Sequence, residues 1–423
     1  MGEDTASRTP EEVSRRLRAQ TPAVLHAETR GWSYFDGPSG TQMIGAGIDA
    51  LATHARQGLS NRRGYSPAGD ETEALIAFAR SEVAALFLAE GYRVVFGQNM
   101  TSLAFSLGHA LARQRAREGT SVVVTELEHA ANVDPWVQPF AEKGATTRWL
   151  RVDRESLAVR SEDIEAAQDA DISVVAVTAA ANAVGVMPEI APLRELARRS
   201  GAAFVVDGVH VVPHGPPDVA ELGADVFICS GYKFYGPHVG VALVRESLAA
   251  ELPAYKVTPA PSGGPEQFET GSQNHEGIAS LGGTVAGLGR LVESPNGTGA
   301  RAALRALGRQ EGELGTSLVK GLRAIPGVEV VGHDGGQQYV ATVAFNVAGR
   351  TPSEISQALR SRGVFVTSGD FYASALAARL GVDVSGGWVR AGVAGYTTED
   401  DVARLLDAVT TVADQPRARR EPA

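Results

Sequence analysis

Apolar residues fall into two rhythms along this chain. Mostly apolar, strand-like runs at 92–96, 121–125, 172–178, 203–206, 226–229 and 240–244 show no regular polar alternation, so each reads as a strand covered on both faces. Between them, segments 71–88, 102–113 and 190–199 repeat their apolar positions at helical spacing. Strands of this kind separated by helices predict an α/β fold around a mostly parallel sheet, here of the seven-stranded type. Upstream, Thr9, Pro10, Glu11 and Glu12 supply a cap, a first-turn proline and first-turn acids for a helix over 10–20.

Turn formers cluster at 292–300, and a long helical stretch follows over 300–324. Beyond it, strand-like runs at 328–331, 339–346 and 364–367 alternate with helical segments 352–362 and 398–412. This is the pattern of a smaller α+β unit. The expected division is an N-terminal helical segment 1–20 packing near the small domain, a large domain 21–295, a small C-terminal domain 296–413 and a polar tail 414–423.

Composition narrows the class. With 423 residues, 43% hydrophobic and 21% charged, the chain is long enough for large cores and too apolar to be disordered. A net charge of −10 argues against nucleic-acid and anionic-membrane partners. The one cysteine, Cys229, excludes a disulfide framework and multi-cysteine metal sites. Neither a signal-peptide h-region nor a run of 18 apolar residues is visible, so the expected location is cytoplasmic.

The chemistry concentrates in 204–240. Asp207 closes one apolar strand and Lys233 follows the next, so both face the C-terminal edge of a parallel sheet, where ligands bind in such folds. Basic residues are nearly all arginine. Only Lys143, Lys233, Lys256 and Lys320 are lysines, so a lysine that attacks a carbonyl must be one of these four.

The pattern D-x-x-H from Asp207 to His210, followed by S-G-x-K-x-x-G-P from Ser230 to Pro237, resembles the fold-type I pyridoxal-phosphate enzymes. The match is to the class V aminotransferase and cysteine-desulfurase-like family, over roughly 34–412. That resemblance implies pyridoxal 5′-phosphate as cofactor, with Lys233 as its Schiff-base lysine and Asp207 as partner of its pyridinium nitrogen. It places His210 on the cofactor ring or its phenolic oxygen, Asn182 on the phenolic oxygen, and His129 on the pyridine face. Met100, Thr101 and Ser230 match phosphate-binding positions. Tyr232 stands where the family commonly has a histidine on the phosphate, and its hydroxyl is the expected substitute. Gly271 and Ser272 match a segment that reaches the partner's phosphate, which implies a homodimer with a shared active site. Arg390 matches the arginine that grips a substrate α-carboxylate, so the substrate is a small-molecule α-amino acid.

Within the family, desulfurases carry a nucleophilic cysteine on a small-domain loop. The matching segment, 363–373, holds Tyr372 at that position, and Cys229 reads as core. A persulfide-forming desulfurase is therefore not expected. Tyr372 and Tyr232 are the candidate acids, with Asp370 as a charged neighbour and Lys233 as the proton shuttle. His54, Arg62, Arg63 and Tyr65 lie in a polar stretch that either flanks the entrance or is a solvated loop. An Ala-, Gly- and Arg-rich, Lys-poor composition resembles high-GC actinobacterial proteins. The leading expectation is a C–S lyase that cleaves a cysteine S-conjugate by β-elimination in secondary or thiol metabolism, including antibiotic pathways. Alternatives are decarboxylation-coupled oxidative deamination, transamination or epimerisation, and a non-catalytic binding protein of the same fold.

Overall fold

A computed structural model describes residues 8–58, 60–62, 65–333 and 336–414. Residues 1–7, Arg63 and the tail from 415 onward lie outside the described residues.

Seven strands form the main sheet: β1 (Tyr92–Gly97), β2 (Ser121–Thr125), β3 (Thr146–Leu150), β4 (Ile172–Thr178), β5 (Ala203–Asp207), β6 (Val226–Ser230) and β7 (Gly240–Arg245). Their spatial order is β1-β7-β6-β5-β4-β2-β3, with β7 the one antiparallel strand. The six apolar runs all become strands, within a residue of their expected ends. β3 has no apolar signature because it lies at the sheet edge with three of its five residues exposed.

Alternate residues feed opposite cores, as a period of two requires. Val123, Val175, Val177, Phe204, Val206 and Phe227 face one cluster, shared with helix α1 (Pro67–Phe87). Val122, Val124, Val174, Ala176, Val205 and Ile228 face the other, covered by α2 (Met100–Arg115). Helix α3 (His275–Arg290) is buried on almost every side, so it lacks the amphipathic stripe that would have marked it in the sequence.

Helix α4 (Gly297–Arg323) joins the two halves of the fold. Leu304 and Leu307 enter the large core, while Leu314, Leu318 and Leu322 enter the core of a second sheet. That sheet is antiparallel, made of β8 (Val328–Val330), β9 (Thr342–Val347), β10 (Thr367–Gly369) and β11 (Trp388–Gly392) in the order β8-β9-β11-β10. The expected strand at 364–367 is split: Val364–Phe365 pairs instead with Ser33–Tyr34, and only Thr367 joins β10. The N-terminal helix Pro10–Ala19 is capped by Thr9 as its sequence suggests, and Ser14 and Arg18 bind the carbonyls of Gly395 and Tyr396. Among the described residues no helix is long and apolar enough to cross a membrane.

Candidate active site

β2, β4, β5 and β6 end at one edge of the main sheet, and β11 approaches that edge from the smaller sheet. Between them lies a cavity of about 510 Å³, within the size range of small-molecule sites. Its wall brings together Met100, Thr101, His129, Asn182, Asp207, His210, Ser230, Tyr232, Lys233, Tyr372 and Arg390. Eleven of the thirteen candidate residues thus converge. Gly271 and Ser272 do not; they line a separate cavity with Arg62 and His275.

Lys233 closes the short turn after β6, and its Nζ donates to the carbonyls of Pro38 and Ser39. Burial, and next the Arg390 charge, push its amine down to about 8. An amine so placed is partly neutral near physiological pH, as a carbonyl-attacking lysine needs. One strand away, Asp207 is buried and accepts from the Val209 amide at 2.8 Å, and burial raises its carboxyl to about 6. A cationic ring nitrogen beside it would complete an ion pair.

His129 accepts the Ala131 amide at Nδ1 (2.9 Å), while burial and the charges of Lys233 and Arg390 hold it down to about 4. It is a neutral plate on the cavity wall, with the Tyr372 ring 5.2 Å away. Behind it, Glu128 accepts from Thr125 and Asn132 at 2.6 and 2.7 Å, and full burial lifts its carboxyl to about 8. His210 sits with Nε2 at 3.0 Å from Thr342 Oγ1, and burial keeps its imidazole neutral.

Arg390 is buried and held on three sides. Its guanidinium donates to the Asn182 carbonyl (3.0 Å) and Ser39 Oγ (2.7 Å), and approaches Asp36 at 3.5 Å. It lies 3.9 Å from the Phe371 ring centroid, and Nε has no partner among the described residues. At the other end of the cavity, Asn99 caps α2 and the Met100 amide donates to Ser230 Oγ at 2.9 Å. A helix N-terminus and a hydroxyl there suit an anion.

Three placements bear on the expected roles. Tyr372 lies at the mouth of the cavity, 70% exposed, and no protein partner meets its hydroxyl among the described residues. Tyr232 lines the cavity with its ring stacked on His238 at 4.6 Å. The stretch weighed for the entrance is absent from this wall: His54 is buried in its helix, and Arg62 is committed to Glu73 and Glu266. Conversely, His238, Ser39 and Phe371 line the cavity although nothing in the sequence pattern marks them. For Asp36, only its place before a Gly-Pro turn was available as a signal.

Residues 33–405 match the aminotransferase class-V family. The chain belongs to that family. Members use pyridoxal phosphate, and the donor set here fits it: an amine, a buried carboxylate, neutral imidazoles, an anion-binding helix start and the unpartnered Asn182 Oδ1. The chain is 29% identical over 395 residues to a probable cysteine desulfurase 1 of Mycobacterium leprae, covering 90% of this chain and 62% of that one. It is 31% identical over 402 residues to a cysteine desulfurase of Synechococcus elongatus, covering 90% and 60%. It therefore spans about three fifths of the length of those two relatives. A Salmonella agona cysteine desulfurase matches at 26% identity, with 94% and 97% covered. Among solved structures, the fold resembles the cysteine desulfurase CsdA of Escherichia coli, with TM-score 0.82, 24% identity and 94% and 98% covered. A Thermococcus onnurineus cysteine desulfurase gives TM-score 0.84, 24% identity and coverage of 96% and 99%.

Proposed function

We propose that this class V enzyme is a C–S lyase that cleaves a cysteine S-conjugate by β-elimination, and that it does not form a persulfide. The relatives' names suggest sulfur transfer, which requires a thiolate facing the substrate. The observation that carries our reading is the position of the single thiol. Cys229 is fully buried in β6, where burial pushes its pKa far above the usual thiol range, and the exposed turn over the cavity carries Tyr372 instead.

Bound pyridoxal phosphate supplies an electron sink for the charge that develops at the amino-acid Cα. Lys233 and Asp207 are the residues that would hold its aldehyde and ring nitrogen, and His129 would cover its face. Met100, Thr101 and Ser230 would receive its phosphate, with Gly271 and Ser272 serving the phosphate of the partner in a shared-site homodimer. Arg390 binds the substrate carboxylate through its planar fork. Lys233 Nζ takes the Cα proton, and the Cβ–S bond breaks with its electron pair leaving on sulfur. One water is consumed overall, and the products are a thiol, pyruvate and ammonia.

A panel of cysteine S-conjugates incubated under air, with products read by mass spectrometry, tests this. Free thiol with pyruvate is expected. An S-linked aldehyde with loss of carbon dioxide, a 2-oxo acid that retains its sulfur, or protein-bound persulfide from free cysteine would each overturn it.

A further inference from the structure

The chain leaves β6 at Ser230, passes Lys233 and returns into β7 at Gly240, and this loop is closed by its own backbone. Gly231 donates to the Val239 carbonyl at 2.8 Å, and Gly236 donates back to Gly231 at 3.0 Å. The closure brings residue 238 beside residue 232. Their rings stack with centroids 4.6 Å apart and planes 14° from parallel. Register then fixes where the pair sits. Gly240 pairs with Ser230 on one side and Gly97 on the other, and a Cβ on Gly240 would lie 2.4 Å from the Asn99 carbonyl carbon. His238 therefore enters the sheet edge at the N-terminus of α2, and it lines the same cavity as Asn99, Met100, Thr101 and Ser230.

We propose that His238 is the side chain that supplies an imidazole N–H to the cofactor phosphate in this protein, with Tyr232 as the plate that orients it. The Tyr232 ring is held from several directions. Lys233 Nζ lies 5.1 Å from its centroid, the His238 ring covers it, and Gly40 closes on Cδ2 so tightly that a Cβ there would sit 3.3 Å away. Neither ring nitrogen of His238 has a protein partner among the described residues, and the side chain is exposed toward both this cavity and the adjoining one that holds Ser272.

Charge balance points the same way. A phosphate ester carries nearly two negative charges, and the amide and hydroxyls at this end of the cavity supply only dipoles. The other basic groups on the wall are committed or neutral. Lys233 serves the aldehyde, Arg390 faces Asp36, and burial keeps His129 and His210 uncharged. His238 is the basic side chain left over. This inference depends on the cofactor and not on which bond of the substrate breaks.

The experiment titrates full-length protein, stripped of cofactor, with pyridoxal phosphate and separately with pyridoxal, which lacks the phosphate. Binding is read from visible absorbance, and the holoenzyme is also examined by phosphorus NMR. His238→Ala is expected to weaken pyridoxal phosphate roughly ten- to hundredfold, the scale of a lost hydrogen bond to a charged group, with pyridoxal unaffected and the phosphorus resonance moved. His238→Gln, which keeps a donor, is expected to recover part of the loss, and Tyr232→Phe to bind like wild type. Equal losses for both ligands in His238→Ala, or no loss, would overturn the proposal. So would a phosphate-specific loss confined to Tyr232→Phe. If wild-type protein took up neither aldehyde, the cofactor assignment itself would fall, a result distinct from all of these.

Discussion

Asn182 Nδ2 donates to the carbonyl of Phe371 across 2.8 Å, which ties the loop after β4 to a turn that follows β10. The turn is strained. Phe371 and Tyr372 hold φ of 56° and 58°, in the left-handed region that L side chains disfavour. Three contacts with the cavity wall fix it: the Asn182 bond, the Ala130 amide on the Tyr372 carbonyl at 2.8 Å, and Arg390 against the Phe371 ring. The turn over the cavity is thereby clipped down as part of its wall.

Glycine at the two positions is therefore expected to act in opposite directions. A left-handed L residue costs roughly 1–2 kcal/mol, and glycine returns about 0.5–1 of that as unfolded-state entropy. Tyr372 is mostly exposed, so Tyr372→Gly should stabilise the fold by about 0.5–1 kcal/mol in chemical denaturation. Phe371→Gly should destabilise it, because Arg390 loses the ring beneath it, an interaction worth about 1–2 kcal/mol where desolvated. A Tyr372→Gly variant less stable than wild type would show that the strain is not there.

Capture of the cofactor should report Lys233 directly. Only a neutral amine attacks an aldehyde, and this one is pushed down to about 8 from 10.5. In cofactor-free protein the rate of pyridoxal phosphate uptake should thus rise with pH and level off above about 8. Arg390→Gln removes one of the charges that depress the amine, so its midpoint should move upward, though burial still holds it below 10.5. Lys233→Ala should form no borohydride-reducible link at all. Stopped-flow absorbance over a pH series measures all three.

Most of the sheet and the line from Asp207 to Lys233 were legible because burial on both faces leaves mostly apolar runs, and the candidate site's side chains follow those runs at the strand ends. What stayed hidden depends on contacts that sequence order does not encode. The edge strand β3 is largely exposed, and α3 is buried on almost every side, so neither shows a clear amphipathic period. Thr342 meets His210 only because the two sheets fold against each other, and Asp36 meets Arg390 because its segment runs beside the strand that carries Arg390. His238 lies five residues past Lys233, yet its stack on Tyr232 exists only through the closed loop between β6 and β7.

Glu128 should make stability depend on pH with a definite sign. Its folded carboxyl is raised to about 8 from 4.5, so the native state binds a proton that the unfolded chain has released. That stabilisation is complete below about 4.5 and is lost as pH rises to about 8. Glu128→Gln keeps the shape, and the Thr125 hydroxyl can reverse to accept its amide. Compared with the variant, wild type should lose on the order of a few kcal/mol between those limits. Denaturant midpoints at pH 5, 6.5 and 8 test this; parallel curves would show that Glu128 is ionised in the fold.

Arg390 carries the substrate assignment, and its loss should separate binding of the carboxylate from the rest of the reaction. The guanidinium is already oriented by the Asn182 carbonyl, Ser39 and Asp36, so a carboxylate meets a fixed fork without side-chain ordering. Removing one partner of a buried charge pair costs roughly 2–5 kcal/mol, which corresponds to a rise in amino-acid KM of about thirtyfold or more in Arg390→Ala. Arg390→Lys should recover little, because an ammonium offers one point charge where the site is built for two parallel donors. Pyridoxal phosphate uptake through Lys233 should persist in both variants. Amines that lack the carboxylate should bind equally to wild type and Arg390→Ala. If the variant kept its amino-acid affinity, the carboxylate would have to bind elsewhere on the wall, and the reading of the substrate as an α-amino acid held at β11 would fail.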